Sequence, residues 1–146
     1  MYKIIARFFV FALTLALASS SARCGEVGRD RKEAMTMQIV VDGESLAVEW
    51  ENNRSVNALK ELMPLSLSMH AYGGFEQVGE LGRNLPRDDK RITTSAGDIV
   101  LYSGNQIVIF YGSNTWAYTR LGKIKGKTQQ ELASLLGGKD VTLTIE

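Results

Sequence analysis

Residues 97–124, GDIVLYSGNQIVIFYGSNTWAYTRLGKI, constrain the fold more than any other stretch of this chain. Two dense apolar runs, Ile99–Tyr102 and Ile107–Tyr111, flank the turn dipeptide Gly104-Asn105. Runs of β-branched and aromatic residues bounded by Gly, Asn and Ser read as hairpin-linked strands. A second turn, Gly112-Ser113-Asn114, leads to a third strand carrying Trp116, Tyr118 and Arg120. Strands this apolar have to be covered on one or both faces, as they are in a small barrel.

The remaining sequence extends that pattern. Gln38–Val41 and Glu44–Trp50 are strands joined by Asp42-Gly43, a strong two-residue hairpin signal. In the second, Leu46, Val48 and Trp50 share one face. Asn52-Asn53 can cap a short helix running through Leu62, with Val56, Leu59 and Met63 at helical spacing and Pro64 beyond it. Leu65, Leu67 and Met69 alternate with Ser66, Ser68 and His70, a half-buried strand. Gly73–Asn84 reads as a loop with a short strand around Phe75–Leu81, and Leu85–Ala96 as a polar loop. Thr128 and Glu131 form a capping box that opens a second helix, which Gly137-Gly138 ends. Val141, Leu143 and Ile145 alternate with threonines in a closing strand. The expected fold is mainly β: a small closed barrel, its edges removed by closure, with two short helices at its ends.

The first 22 residues stand apart. Lys3 and Arg7 precede an apolar core, Phe8–Ala18, and Ser20-Ser21-Ala22 offers a cleavage site. This is the three-part pattern of a secretory signal peptide. The apolar run falls short of the roughly 20 residues of a spanning helix. The expectation is a signal peptide at 1–22, a mobile linker at 23–36 and a folded domain at 37–146. The product would be periplasmic or secreted, with no stable membrane span after cleavage. Cys24 is the only cysteine, so the domain has no intramolecular disulfide. Lipid attachment at Cys24 is the alternative, although Arg23 stands where lipoprotein signals carry a small residue.

Removing residues 1–22 takes away two of the 17 basic residues and none of the 16 acidic ones, leaving the domain close to neutral. No strong field for nucleic acid or an anionic membrane follows, and no nucleic-acid partner is expected.

Several words of the chain together resemble the bacterial cyclophilin-like domains of mostly unknown function. They are LKELMPLSLSM (59–69), AGDIVLY (96–102), IVIFYG (107–112), YTRLGKI (118–124) and DVTLTIE (140–146). The resemblance implies a small closed cyclophilin-like β-barrel with two helices. It implies no reaction, because fold does not give function. True cyclophilins are peptidyl-prolyl isomerases with an arginine beside a proline pocket, in a Phe-Met-x-Gln-Gly-Gly word. That word is missing here. Phe75-Glu76-Gln77-Val78-Gly79 echoes it without the methionine and with other spacing, and the sole histidine, His70, comes early.

Catalytic chemistry finds little footing. One histidine, one leader cysteine and no G-x-S-x-G word leave no nucleophile with a base, and no catalytic residue is assigned. His70 reads as a surface or hydrogen-bonded side chain. No spaced cysteine or histidine set suggests a metal, and no cofactor is implied. Asp88 and Asp89 lie among Arg87, Lys90 and Arg91, a solvated mix of charges.

One constellation is left, aromatic plus arginine. Tyr72 and Phe75 flank Gly73-Gly74, and Trp116, Tyr118 and Arg120 lie two apart along a strand and so project one way. If that face is open, it offers flat apolar contacts and a guanidinium able to grip a carboxylate or peptide carbonyl. The competing reading places Trp116 and Tyr118 in the core, with Arg120 reaching solvent or paired structurally. The functional expectation is an exported domain binding a small molecule or peptide through Tyr72, Phe75, Trp116, Tyr118 and Arg120. A divergent peptidyl-prolyl isomerase is the alternative.

Overall fold

The computed structural model describes residues 36–146. The expected signal peptide, Cys24 and nearly all of the expected linker lie outside the described residues. Ten strands and two helices follow in chain order. The first part comprises β1 (Ile39–Val41), β2 (Glu44–Leu46), β3 (Val48–Trp50), α1 (Arg54–Lys60), β4 (Leu65–Tyr72) and β5 (Glu76–Glu80). The second comprises β6 (Lys90–Thr93), β7 (Asp98–Tyr102), β8 (Gln106–Phe110), β9 (Thr115–Ile124), α2 (Gln129–Leu136) and β10 (Val141–Ile145).

The sheet runs β2-β1-β10-β4-β5-β8-β7-β9-β3 through antiparallel pairs. Its two ends are successive pieces of one run, Glu44–Trp50, divided at Ala47. The first half pairs with β1 and the second with β9, and Lys125 N–H donates to the Ala47 carbonyl at 2.9 Å. The sheet thus meets itself in a nearly closed barrel, with few strand edges left unpaired. The Asp42-Gly43 turn that starts this run has φ of 47° and 86°, the left-handed pair that a two-residue hairpin needs.

The registers assign the two faces. Leu67, Met69, Ile99, Leu101, Ile107, Ile109, Leu143 and Ile145 lie inside and form one buried core. Val56 and Leu59 of α1 and Leu132 and Leu136 of α2 join the same core. Each helix starts as its cap residues dictate. Asn53 Oδ1 accepts from Val56 N–H, and Thr128 and Glu131 make the reciprocal capping box. Helix α1 ends at Lys60, two residues earlier than its apolar spacing suggests.

Gln77 is the polar exception inside the wall. It is fully buried, and its Nε2 donates to the Leu136 and Lys139 carbonyls at the end of α2. Those carbonyls include one that the helix leaves without an internal partner.

A further difference from the sequence reading is β6. Lys90–Thr93 lies in the stretch read as a polar loop, yet it pairs with Thr115–Tyr118 of β9. Only Ile92 in this strand is a large hydrophobe, so its pairing depends on β9 rather than on any pattern of its own. Strand β9 is long enough to serve two partners: its second half belongs to the barrel, its first half to the ribbon with β6. A bulge at Leu121, between the Ile99 and Val100 pairings, lies within the barrel half.

Candidate functional site

A second, smaller apolar cluster lies on the outer face of the wall. Val100, Val108, Phe110 and Tyr118 are buried in it, with Phe75, Val78, Ile92 and Tyr102 packed against them. Residues two apart on a strand share a face, so the registers line up three outward rows. His70, Val78, Val108 and Val100 form the middle row. Tyr72, Glu76 and Phe110 form the row on one side, and Glu80, Gln106 and Tyr102 the row on the other. The β6–β9 ribbon brings Tyr118 onto this surface, edge-on to Phe110 at 5.6 Å and to Tyr102 at 5.9 Å between ring centroids.

Above these rows lies a groove of about 410 Å³. Val78 and Val108 are in its floor, Tyr102 and Tyr118 form aromatic walls, and Tyr72 and Trp116 stand at the rim. Among the described residues, the exposed large hydrophobic side chains are Tyr72 (67%) and Trp116 (53%), and both belong to this one groove. The volume is within the range of small-ligand pockets.

The groove is polar at a few defined points. Tyr118 Oη accepts a 3.0 Å hydrogen bond from Asn114 Nδ2, which leaves its own proton available to a ligand. Asn114 is itself fixed. Its Oδ1 accepts from Thr115 N–H, its backbone N–H donates to Thr94 Oγ1, and its carbonyl accepts from Thr94. Glu76 is 7% exposed, and its Oε2 is buried without a hydrogen-bond partner. Burial raises the Glu76 carboxyl above its usual range. The Tyr118 hydroxyl is raised too, by burial first and by the neighbouring Glu76 second.

At the rim His70 Nδ1 is 3.0 Å from Asp140 Oδ2, and both side chains are largely exposed. The hydrogen bond from His70 lowers the Asp140 carboxyl. His70 is therefore a surface, hydrogen-bonded histidine that also borders the groove. Among the described residues no group of three or more His, Cys, Asp and Glu is placed to hold a metal ion. No helix there is long and apolar enough to cross a membrane.

The five residues singled out from the sequence separate into three positions. Tyr72, Trp116 and Tyr118 come together in the groove. Phe75 lies behind it, stacked on Phe110 with centroids 6.5 Å apart and planes 6° from parallel. Its carbonyl accepts from Tyr111 and Gly112 N–H, both at 2.9 Å, which anchors the Tyr72–Glu76 turn. That packing requires glycine at Gly112, where a Cβ would stand 2.6 Å from Phe75 Cβ.

Arg120 does not line the groove. It borders a separate concavity beside Arg54, Arg87 and Lys90, and its Nη1 is 3.3 Å from the buried Asp98 Oδ2. Tyr118 lies between the two hollows and borders both. Glu76, Tyr102 and Asn114 are groove residues that the sequence reading missed. A hairpin turn at Gly73-Gly74 pairs Tyr72 with Glu76, and that register would have put the carboxyl on the aromatic face.

The fold and groove define a small β-barrel with a binding-type concavity on its outer wall. Residues 39–146 match the family model described as the cyclophilin-like family, and the chain belongs to that family. No curated protein matches the chain.

Proposed function

We propose that this chain is an exported cyclophilin-like domain that binds a small organic molecule or a short peptide in the outer aromatic groove. One observation carries the reading. Among the described residues, the two large hydrophobic side chains exposed to solvent, Tyr72 and Trp116, stand at the rim of a hollow that Glu76 also lines, and Glu76 Oε2 is buried without a partner. Exposed aromatics and an unpaired buried polar atom both cost stability in a free domain, and a ligand that covers them offsets that cost. The Asn114–Tyr118 hydrogen bond and the Phe75–Phe110 stack fix the walls in advance, so little ordering is needed on binding.

A fragment and short-peptide library titrated against the ¹⁵N-labelled domain tests this. Hits should move the Trp116 indole N–H resonance together with backbone resonances of Val78, Val108 and Tyr118. Trp50 serves as an internal control, because its Nε1 donates to the Met37 carbonyl at 2.7 Å, away from the groove. Hits that move only Trp50 or the surface around Arg54 would remove the groove from consideration.

Export rests on the residues before the domain: Lys3, Arg7, the Phe8–Ala18 core and Ala22. N-terminal sequencing of protein from its native host should find a chain starting near Arg23. A cytoplasmic chain that keeps Met1 would contradict export, and diacylglycerol on Cys24 would replace it with a lipid-anchored form.

A further inference from the structure

The groove has a charge character that narrows its ligand. Its lining includes two glutamates, Glu76 and Glu80, and no lysine or arginine. It also includes four aromatic side chains: Tyr72, Tyr102, Trp116 and Tyr118. Aromatic faces carry negative potential and attract a cation that lies over them, most strongly where water is excluded. Several basic side chains near the groove pair with carboxylates, and Arg91, exposed on β6 opposite Ala117, is not part of the lining. Arg120 and Lys123 pair with Asp98, Lys90 with Asp88, and Arg87 with Asp89.

Glu76 supplies the decisive group. Its Oε2 is buried and unpartnered, and the Glu76 residue lines the hollow walled by Tyr102 and Tyr118. A buried carboxylate without a partner is costly, and an opposite charge placed beside it relieves that cost. An anionic ligand would meet two carboxyls and four aromatic rings, with no lysine or arginine in the lining to offset them and with His70 at the rim already paired with Asp140.

We infer that the groove takes an organic cation, an alkylammonium or quaternary ammonium group seated between the aromatic walls and against Glu76. This rests on the groove being the binding site. The same head group occurs on a free amine and on a lysine side chain of a peptide, and both present the same chemistry to the site.

Choline and its uncharged carbon isostere, 3,3-dimethyl-1-butanol, separate charge from shape. The test is titration of the domain with each, followed through the Trp116 indole resonance. Choline should bind at least about tenfold more tightly than the isostere, as a cation–π contact and a paired carboxylate together require. Glu76→Gln should weaken choline by about the same factor and leave the isostere unchanged. Glu80→Gln, at an exposed position, should have a smaller effect. A capped tripeptide with central trimethyllysine decides the source. Tighter binding than choline points to a peptide-borne cation, and equal or weaker binding to a free amine.

Equal affinity for choline and the isostere overturns the cation inference and leaves the groove as a neutral site. So does a Glu76→Gln variant that binds choline normally. If no probe of either charge moves a groove resonance while library hits do, the cation inference alone fails. If library hits avoid the groove as well, the site itself fails.

Discussion

Arg120 is bound to Asp98: its Nη1 lies 3.3 Å from an Asp98 oxygen in a carboxyl that is 3% exposed. Lys123 Nζ reaches the other oxygen at 3.0 Å, and Ser95 N–H donates at 2.8 Å. Asp98 can stay buried because two cations and the Ser95 N–H surround it. The arginine's first task is therefore to satisfy a carboxyl, and its charge is not free for a ligand in the groove. Its backbone has a further task, since the Arg120 carbonyl accepts from Asn53 Nδ2 at 2.8 Å and ties the cap of α1 to β9.

Arg120→Ala should therefore destabilise the fold by about 1–3 kcal/mol, because it takes one of two cations away from a buried carboxylate. Lys123 and Ser95 remain on Asp98 and keep the loss toward the lower end. Urea unfolding measures it, and groove ligands should bind the folded variant normally. Unchanged stability with lost ligand affinity would return Arg120 to the binding site.

Glu76 gives a pH-dependent expectation with a definite sign. Burial raises its pKa in the folded state above the ordinary value of 4.5. Between those two values the unfolded chain holds fewer protons than the folded one, so stability falls as pH rises through the interval. The groups facing Glu76 are His70 and Tyr72 from β4, Glu80 from β5, Tyr102 from β7 and Tyr118 from β9, with only Phe110 and Gln106 from β8. None of these is a lysine or arginine that could reverse the sign. Glu76→Gln should be more stable than the natural chain at about pH 8, and the difference should shrink as pH falls toward about 4. Unfolding curves across that range check it. Destabilisation at the higher pH would mean that the carboxylate already has a partner.

Core and groove supports should respond differently to small changes. Ile109 is fully buried in the barrel wall, and Ile109→Ala should cost about 2–5 kcal/mol. Gly112→Ala puts a Cβ against Phe75 and should cost about 1–3 kcal/mol through overpacking. Only the second should also shift the resonances of Tyr72 and Glu76, because Phe75 anchors their turn. Thermal unfolding with ¹⁵N spectra of both variants distinguishes the two effects.

Proline isomerisation should be slow or absent. The Phe-Met-x-Gln-Gly-Gly word is missing from the sequence, and no arginine lines the groove. A coupled assay with a proline-containing peptide measures it. Acceleration comparable to a true cyclophilin, abolished by replacing one arginine, would show that an arginine reaches substrate from outside the present lining.

The barrel was legible where side chains alternate and turns are marked. Asp42-Gly43, the apolar runs of β7 and β8, and the Thr128–Glu131 box each carry local chemistry that leaves little choice. Strand β6 was not legible, because Lys90-Arg91-Ile92-Thr93 has no apolar face and is ordered by a distant partner. The dual use of β9 was hidden for the same reason, since its pairing with both β6 and β7 comes from long-range register. At the site, spacing correctly put Trp116 beside Tyr118 on β9. It could not tell that Arg120 would meet Asp98, a contact that depends on β7 pairing with β9. Glu76 stayed hidden because Gly73–Asn84 gave no clear period.

The outer groove as binding site is the central claim, and intermolecular nuclear Overhauser effects from a bound library hit test it most directly. The account predicts cross-peaks from the ligand to the rings of Trp116, Tyr118 and Tyr102 and to the methyls of Val78 and Val108. Cross-peaks confined to the hollow beside Arg54, Arg87 and Lys90, with none to Trp116 or Val108, would contradict it.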